Sequence, residues 1–144
     1  MRRYPDRPVV GVGAVIVDGD RVLLVRRGHP PLKGEWSLPG GAVELGETLE
    51  AALKREILEE TRLDVNVECL VDVVDRVHRG PDGRVEYHYV VVDYLCTSRS
   101  NAVAAGSDAD DVMWVARAEL PVYRVAETAI QVIDKALELS LTRP

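Results

Sequence analysis

The sequence predicts an α+β domain in which a mixed β-sheet is packed between helices. Strand-like runs of β-branched residues outnumber helix-like stretches, and the two helix-like stretches fall after the first pair of strands and near the carboxy terminus. A chain of 144 residues, 47% of them hydrophobic, suits one compact core. It needs neither disulfides nor metal to fold, so residues 1–144 are expected to form a single domain.

The run "VVGVGAVIVDGDRVLLVRRG" holds two apolar segments joined at Asp18-Gly19-Asp20, which predicts a hairpin with strands at 9–17 and 21–27. A Pro- and Gly-rich passage, "GHPPLKGEWSLPGGAVELGE", follows. It leads to "TLEAALKREILEE", where Thr48 can cap a helix of about three turns built from strong helix formers. Two further strands, "DVNVECLVDVVDRVH" and "RVEYHYVVVDYLC", are linked by Gly80-Pro81-Asp82-Gly83, a loop between antiparallel neighbours. A polar loop near 97–111 precedes a short strand, "VMWVA", and then a final helix over "AETAIQVIDKALEL". Val125, Ala129, Val132, Ile133, Ala136 and Leu137 form its apolar side.

A net charge of -6 and a pI near 5.1 argue against a broad footprint for nucleic acid or an anionic membrane surface. No apolar run has the length of a membrane span and the first ten residues lack a signal-peptide pattern, so a cytoplasmic location is expected. Cys69 and Cys96 lack the paired spacing of a zinc site and read as reduced core thiols. His29, His78 and His88 show no ligand spacing and read as structural.

The electrostatics of "REILEE" need a reason. Glu56, Glu59 and Glu60 share one arc at i, i+3 and i, i+4 spacing, at the helix end where the backbone dipole is negative. Repulsion and dipole together predict a penalty of about 1–3 kcal/mol. Leu49, Ala52, Leu53 and Ile57 overlap that arc, so the acidic stripe is half sheltered rather than turned to water. A bound cation would relieve the penalty. A solvated acidic face, as in an interaction module that binds no metal, is the alternative.

Residues 41–63 match G-x5-E-x7-R-E-U-x-E-E-x-G-U, with Gly41, Glu47, Arg55, Glu56, Ile57, Glu59, Glu60 and Leu63 in register and Arg62 in place of the second Gly. In this the chain resembles the Nudix hydrolase family. "WSLPGG" before the box, and the "WV" strand followed by a helix, extend the likeness to nearly the whole length. The resemblance implies an α/β/α sandwich and hydrolysis of a nucleoside diphosphate linked to another moiety, with Mg2+, or Mn2+ in its place. It implies that Glu56, Glu59, Glu60 and the Gly40 carbonyl hold the metal. Glu47 pairs with Arg55 as support, beside Gly41. Hard oxygen donors suit that chemistry, since cations must bridge phosphate oxygens and activate water. The general base is expected at Glu56 or Glu59, with Asp108, Asp110 and Asp111 as second choices.

Candidate substrate contacts are Arg26, Arg27, Arg76, Arg84 and Asp111, with Arg79 and Tyr87 behind them. Trp36 and Trp114 suit either base stacking or packing. The likeness is greatest to small ADP-ribose pyrophosphatases, implying AMP and ribose 5-phosphate as products. An (oxidised) nucleoside triphosphate pyrophosphohydrolase is the enzymatic alternative and a non-catalytic nucleotide-sensing module the other. The expected partner is a small nucleotide, with no nucleic acid and no membrane; a homodimer is an open expectation.

Overall fold

The computed structural model describes residues 3–28, 33–100 and 109–142, with the backbone alone at 109 and 110. Strands β1 (Val9–Asp18) and β2 (Arg21–Arg27) form the expected hairpin, with Val17 opposite Val22 and Asp18 opposite Arg21. The Pro- and Gly-rich passage is more ordered than its composition suggests, holding two short strands, β3 (Trp36–Ser37) and β4 (Gly40–Ala42). Helix α1 (Leu49–Thr61) follows, then β5 (Val65–Arg79), β6 (Val85–Ser98), β7 (Ala109–Ala116), a 3₁₀ helix (Arg117–Tyr123) and helix α2 (Glu127–Thr142).

The sheet order is β3-β2-β1-β6-β5, with β4 added beside β1 and β7 beside β2. All pairings are antiparallel except β1 with β6, which runs parallel from Val9 opposite Tyr89 to Ile16 opposite Cys96. β1 uses one edge twice: its last residues pair with β2, whereas Gly11, Val12 and Gly13 pair with Ala42, Gly41 and Gly40 of β4. β2 has by then left β1 for β3, while β7 follows its other edge from Arg21 to Arg27. This exchange of partners opens the sheet beside β4.

Strand alternation sends side chains into two cores. On the α1 side, Val12, Ala14, Ile16 and Leu23 pack against Ala52, Leu53 and Ile57. On the α2 side, Val15, Val22, Leu24, Leu95 and Val115 pack against Ile130, Val132, Ile133 and Ala136. Each such Val, Leu or Ile contributes about 1.5–3 kcal/mol on full burial, so the two cores clamp α1 and α2 to opposite faces. Thr48 caps α1 as expected, its Oγ1 accepting from the Ala51 N–H at 3.1 Å. Arg62 ends α1 in the left-handed conformation, at φ 64°, and donates its N–H to the Leu58 carbonyl. Cys69 and Cys96 are free thiols, and burial pushes Cys96 up to about 12. No helix among the described residues is long and apolar enough to cross a membrane.

Candidate active site

Neither Gly40 nor Gly41 has room for a side chain. A β-carbon at Gly40 would stand 2.0 Å from the Val12 carbonyl oxygen, and one at Gly41 only 2.4 Å from the carboxyl carbon of Glu56. The glycine pair therefore lets β4 lie flat on β1 while α1 lowers a carboxylate onto it.

Glu60 lies one turn further along α1 and is fully buried, at 0% exposure. Its Oε1 accepts the Gly40 N–H at 2.7 Å and its Oε2 accepts Arg27 Nη1 at 2.9 Å. Arg27 also donates to the Leu38 carbonyl at 2.7 Å, to Ser37 Oγ at 2.9 Å and to the Gly40 carbonyl at 3.3 Å. Gly40 is thus held on both sides, by a carboxylate at its N–H and a guanidinium at its C=O. Leaving such a buried carboxylate without its cation would cost several kcal/mol, on the order of 3–5.

Arg55 ties the other half of the loop. Its Nε and Nη2 grip Glu47 at 2.7 and 2.8 Å, a two-pronged geometry that fixes both planes, and Nη2 also reaches the Ala42 carbonyl at 3.1 Å. Nη1 donates to Glu56 at 2.9 Å and to Glu59 at 3.5 Å. The Arg55 guanidinium, with the Glu44 N–H behind it, holds the Glu47 carboxyl down at about 2. Glu47 in turn raises Arg55 above its usual value. A helical wheel puts Arg55 outside the acidic arc, but its long side chain folds back over it. Repulsion among the three glutamates is therefore already offset by Arg27 and Arg55.

The donors present fit a hard divalent cation. Glu56 and Glu59 converge on one guanidinium nitrogen, beside a glycine carbonyl whose peptide is fixed. Among the described residues no three acidic, histidine or cysteine side chains form a finished cage. Mg2+ does not require one, because it keeps several waters and takes one or two carboxylates together with phosphate oxygens.

The remaining expected residues scatter. Arg26 turns to the face opposite Arg27, its guanidinium 5.8 Å from the Trp36 ring centroid. Asp111 stands on β7 directly opposite Arg26, is exposed, and accepts the Val112 N–H at 2.9 Å. Arg76 lies on β5 opposite Tyr89. Arg27 was expected at the phosphates, yet its guanidinium is committed to Glu60 and the loop. Arg84 sits at the hairpin end of β6, bonded to Asp82 at 2.6 Å and over the Tyr4 ring at 4.4 Å. Nine residues, about 30 Å of strand, separate it from Asp93, which is level with Gly40. Within one chain Arg84 is out of reach of that loop, and Arg79, bonded to the Gly83 carbonyl, lies at the same end. Trp114 packs into the α1-side core and Trp36 meets Tyr123 edge-on at 6.2 Å. His29 and Asp108 fall outside the described residues, as does the side chain of Asp110.

One residue escaped the sequence reading. Asp93 is 3% exposed in the middle of β6, and burial pushes its carboxyl up to about 6 against the opposing pull of Arg76. A lone acid inside "VVVDYLC" was the available signal.

In space, Glu47 with Arg55 and Glu60 with Gly40 close residues 40–60 into one unit at the open edge of the sheet, and that closure is the mark of a Nudix-type domain. The chain belongs to the NUDIX domain family, which it matches over residues 7–136. It is 36% identical over 114 residues to a Methanocaldococcus jannaschii protein named ADP-ribose pyrophosphatase, covering 79% of this chain but only 65% of that protein. It is 32% identical over 120 residues to a putative 8-oxo-dGTP diphosphatase of Bacillus subtilis, covering 83% and 74%. A solved bifunctional NMN adenylyltransferase/ADP ribose pyrophosphatase from Francisella tularensis, complexed with AMP and a manganese ion, superposes with a TM-score of 0.71. That match has 30% identity and covers 92% of this chain and 42% of that one.

Proposed function

We propose that the chain hydrolyses the pyrophosphate linkage of a nucleoside diphosphate derivative, with ADP-ribose giving AMP and ribose 5-phosphate. The observation that carries this reading is Gly40, held at both its N–H and its C=O, beside Glu56 and Glu59: a rigid oxygen-rich corner at the edge of the sheet. The Gly40 carbonyl, Glu56, Glu59 and Glu60 would hold a divalent cation, Mg2+ or Mn2+, in a cytoplasmic enzyme. When bound, that cation neutralises phosphate charge and lowers the pKa of water. Arg55 keeps Glu56 and Glu59 at the loop, and either of them takes the proton from the attacking water. Glu60 and Arg27 fix the direction of the Gly40 carbonyl. On the opposite face, Arg26 is free of the loop network and serves as a phosphate contact, with Asp111 beside it on β7 and Arg76 on β5, at the other end of the sheet, as further substrate contacts.

ADP-ribose is favoured by the names of the archaeal relative and the Francisella protein. The Bacillus relative's name supports the second reading, an oxidised nucleoside triphosphate. A magnesium-dependent screen of ADP-ribose, NADH, dinucleoside polyphosphates, nucleotide sugars and oxidised dNTPs, with product analysis, tests both. If kcat/KM for an oxidised dNTP exceeds that for ADP-ribose tenfold, a preference of about 1.4 kcal/mol, the ADP-ribose assignment is lost. Magnesium at about 100 times its Kd should also raise stability by about 2.7 kcal/mol. No binding by calorimetry and no thermal shift, with a nucleotide analogue present, would point instead to an interaction module.

A further inference from the structure

Asp93 is a carboxylate placed where a structural role does not explain it. It occurs in an apolar strand, is 3% exposed, and among the described residues has no hydrogen-bond or ion-pair partner for its side chain. No fully buried side-chain nitrogen or oxygen among the described residues lacks a partner, so the small exposure that Asp93 retains is at its carboxylate oxygens. A buried acceptor left unpaired is destabilising, more so when charged, and a ligand that donates to it removes that cost.

The surrounding chain makes room for it. Gly13 is the β1 neighbour of Asp93, and a β-carbon there would stand 2.2 Å from Asp93 Oδ1. Only glycine lets this carboxylate lean across β1. Gly13 is also the β1 neighbour of Gly40, so Gly40, Gly13 and Asp93 form one row across β4, β1 and β6. The row spans two inter-strand spacings, about 10 Å. A nucleotide whose phosphates lie at Gly40 reaches the far edge of its purine over that distance, with the ribose between.

We propose that Asp93 is a specificity-determining residue which accepts a hydrogen bond from the exocyclic amine of the substrate's purine. The assignment rests on the nucleotide-hydrolase reading above. An ionised carboxylate only accepts, so it favours a base edge that donates and leaves a 6-keto edge unsatisfied. Adenine presents such an amine at its 6-position and guanine-type bases at the 2-position. The groups around Asp93 keep it available: Arg76 favours its charged form, whereas Asp72, held from α2 by Lys135 at 3.8 Å, opposes it.

The test compares ADP-ribose with its hypoxanthine analogue, which lacks the amine, in the wild type, Asp93→Ala and Asp93→Asn. The wild type should prefer ADP-ribose by 30-fold or more in kcat/KM, mostly through KM. Asp93→Ala should bring the ratio within threefold, and Asp93→Asn, whose amide can donate to a 6-keto group, should bring it to one or reverse it. Calorimetric binding of AMP against IMP without metal should show the same pattern independently of turnover. If ADP-ribose is not a substrate but 8-oxo-dGTP is, the ADP-ribose reading fails alone; the same comparison is then made with 8-oxo-dITP, which lacks the 2-amino group. An unchanged ratio in both variants, equal losses on both purines, or no AMP-over-IMP preference in a wild type that hydrolyses ADP-ribose overturns the proposal. Circular dichroism and melting curves confirm that the variants are folded.

Discussion

Gly41→Ala places a methyl group where the Glu56 carboxylate rests. The new β-carbon would stand 2.4 Å from the Glu56 carboxyl carbon and 2.5 and 2.6 Å from its two oxygens, with no backbone atom as near. Gly41 does not have positive φ, so the clash is steric and falls on the flexible end of one side chain. Glu56 swings away and its 2.9 Å bond from Arg55 is lost. A hydrogen bond of this kind is worth about 0.5–1.5 kcal/mol net, while Gly→Ala at a compatible backbone returns about 0.4–1 kcal/mol through the unfolded chain. Stability should therefore change by no more than about 1 kcal/mol, or about 2–4 °C in Tm. Catalysis should fall much further, since misplacing a reacting group by about 1 Å costs about 10²-fold. Urea denaturation and magnesium-dependent ADP-ribose hydrolysis measure the two effects on one preparation. Turnover within threefold of wild type in a normally stable variant would show that the position of Glu56 does not matter, and the site as drawn would be wrong.

Arg62→Gly relieves a left-handed position and should stabilise the chain by up to about 1 kcal/mol without altering turnover; a lower Tm in a thermal melt would contradict this. Glu59→Gln and Glu60→Gln should both cut turnover by orders of magnitude. Only Glu60→Gln should also destabilise, by about 1–3 kcal/mol, because it takes the charge from Arg27's buried partner. Equal melting temperatures for the two variants would refute that division. The Asp93 carboxyl lies at about 6 in the fold against an ordinary 3.8, so its stabilising effect is complete below 3.8 and is lost as pH rises through 6. The span corresponds to at most about 3 kcal/mol, which Asp93→Asn should abolish in urea melts from pH 4 to 8. Glu47 has the opposite sign: held at about 2 against 4.5, it stabilises above 4.5 and loses that effect as pH falls towards 2. Glu47→Gln should flatten the acid limb, and an unchanged limb would remove Arg55 from that role.

Local chemistry made much of this fold legible. Asp18-Gly19-Asp20 announces the hairpin, Thr48 the start of α1, and the spacing of Val132, Ile133 and Ala136 the buried side of α2. The parallel pairing of β1 with β6, and β1's change of partner from β2 to β4, were not legible. Neither leaves a local pattern, because the partners lie tens of residues apart. The site divides in the same way. The gathering of Glu56, Glu59 and Glu60 follows from helical spacing, whereas the grip of Arg27 on Glu60 is a contact across 33 residues with no trace in either neighbourhood. β3 and β4 were hidden because their strand pairing is supplied by β2 and β1, not by the propensity of a Pro- and Gly-rich segment.

The parallel seam also sets an order of events during synthesis. Val9 must wait for Tyr89, eighty residues later, before that side of β1 is covered. At about 5–20 residues per second the wait is about 4–16 s. Through it, the β6 edge of Val12–Ile16 stays open, and only the short pairing with β2, the contact of β4 and the packing of α1 shield the strand. The row that joins Gly40 to Asp93 therefore closes only when the second half of the chain has arrived. A nascent chain halted before β6 would already carry every glutamate of the signature and still lack the strand against which a substrate is to be read.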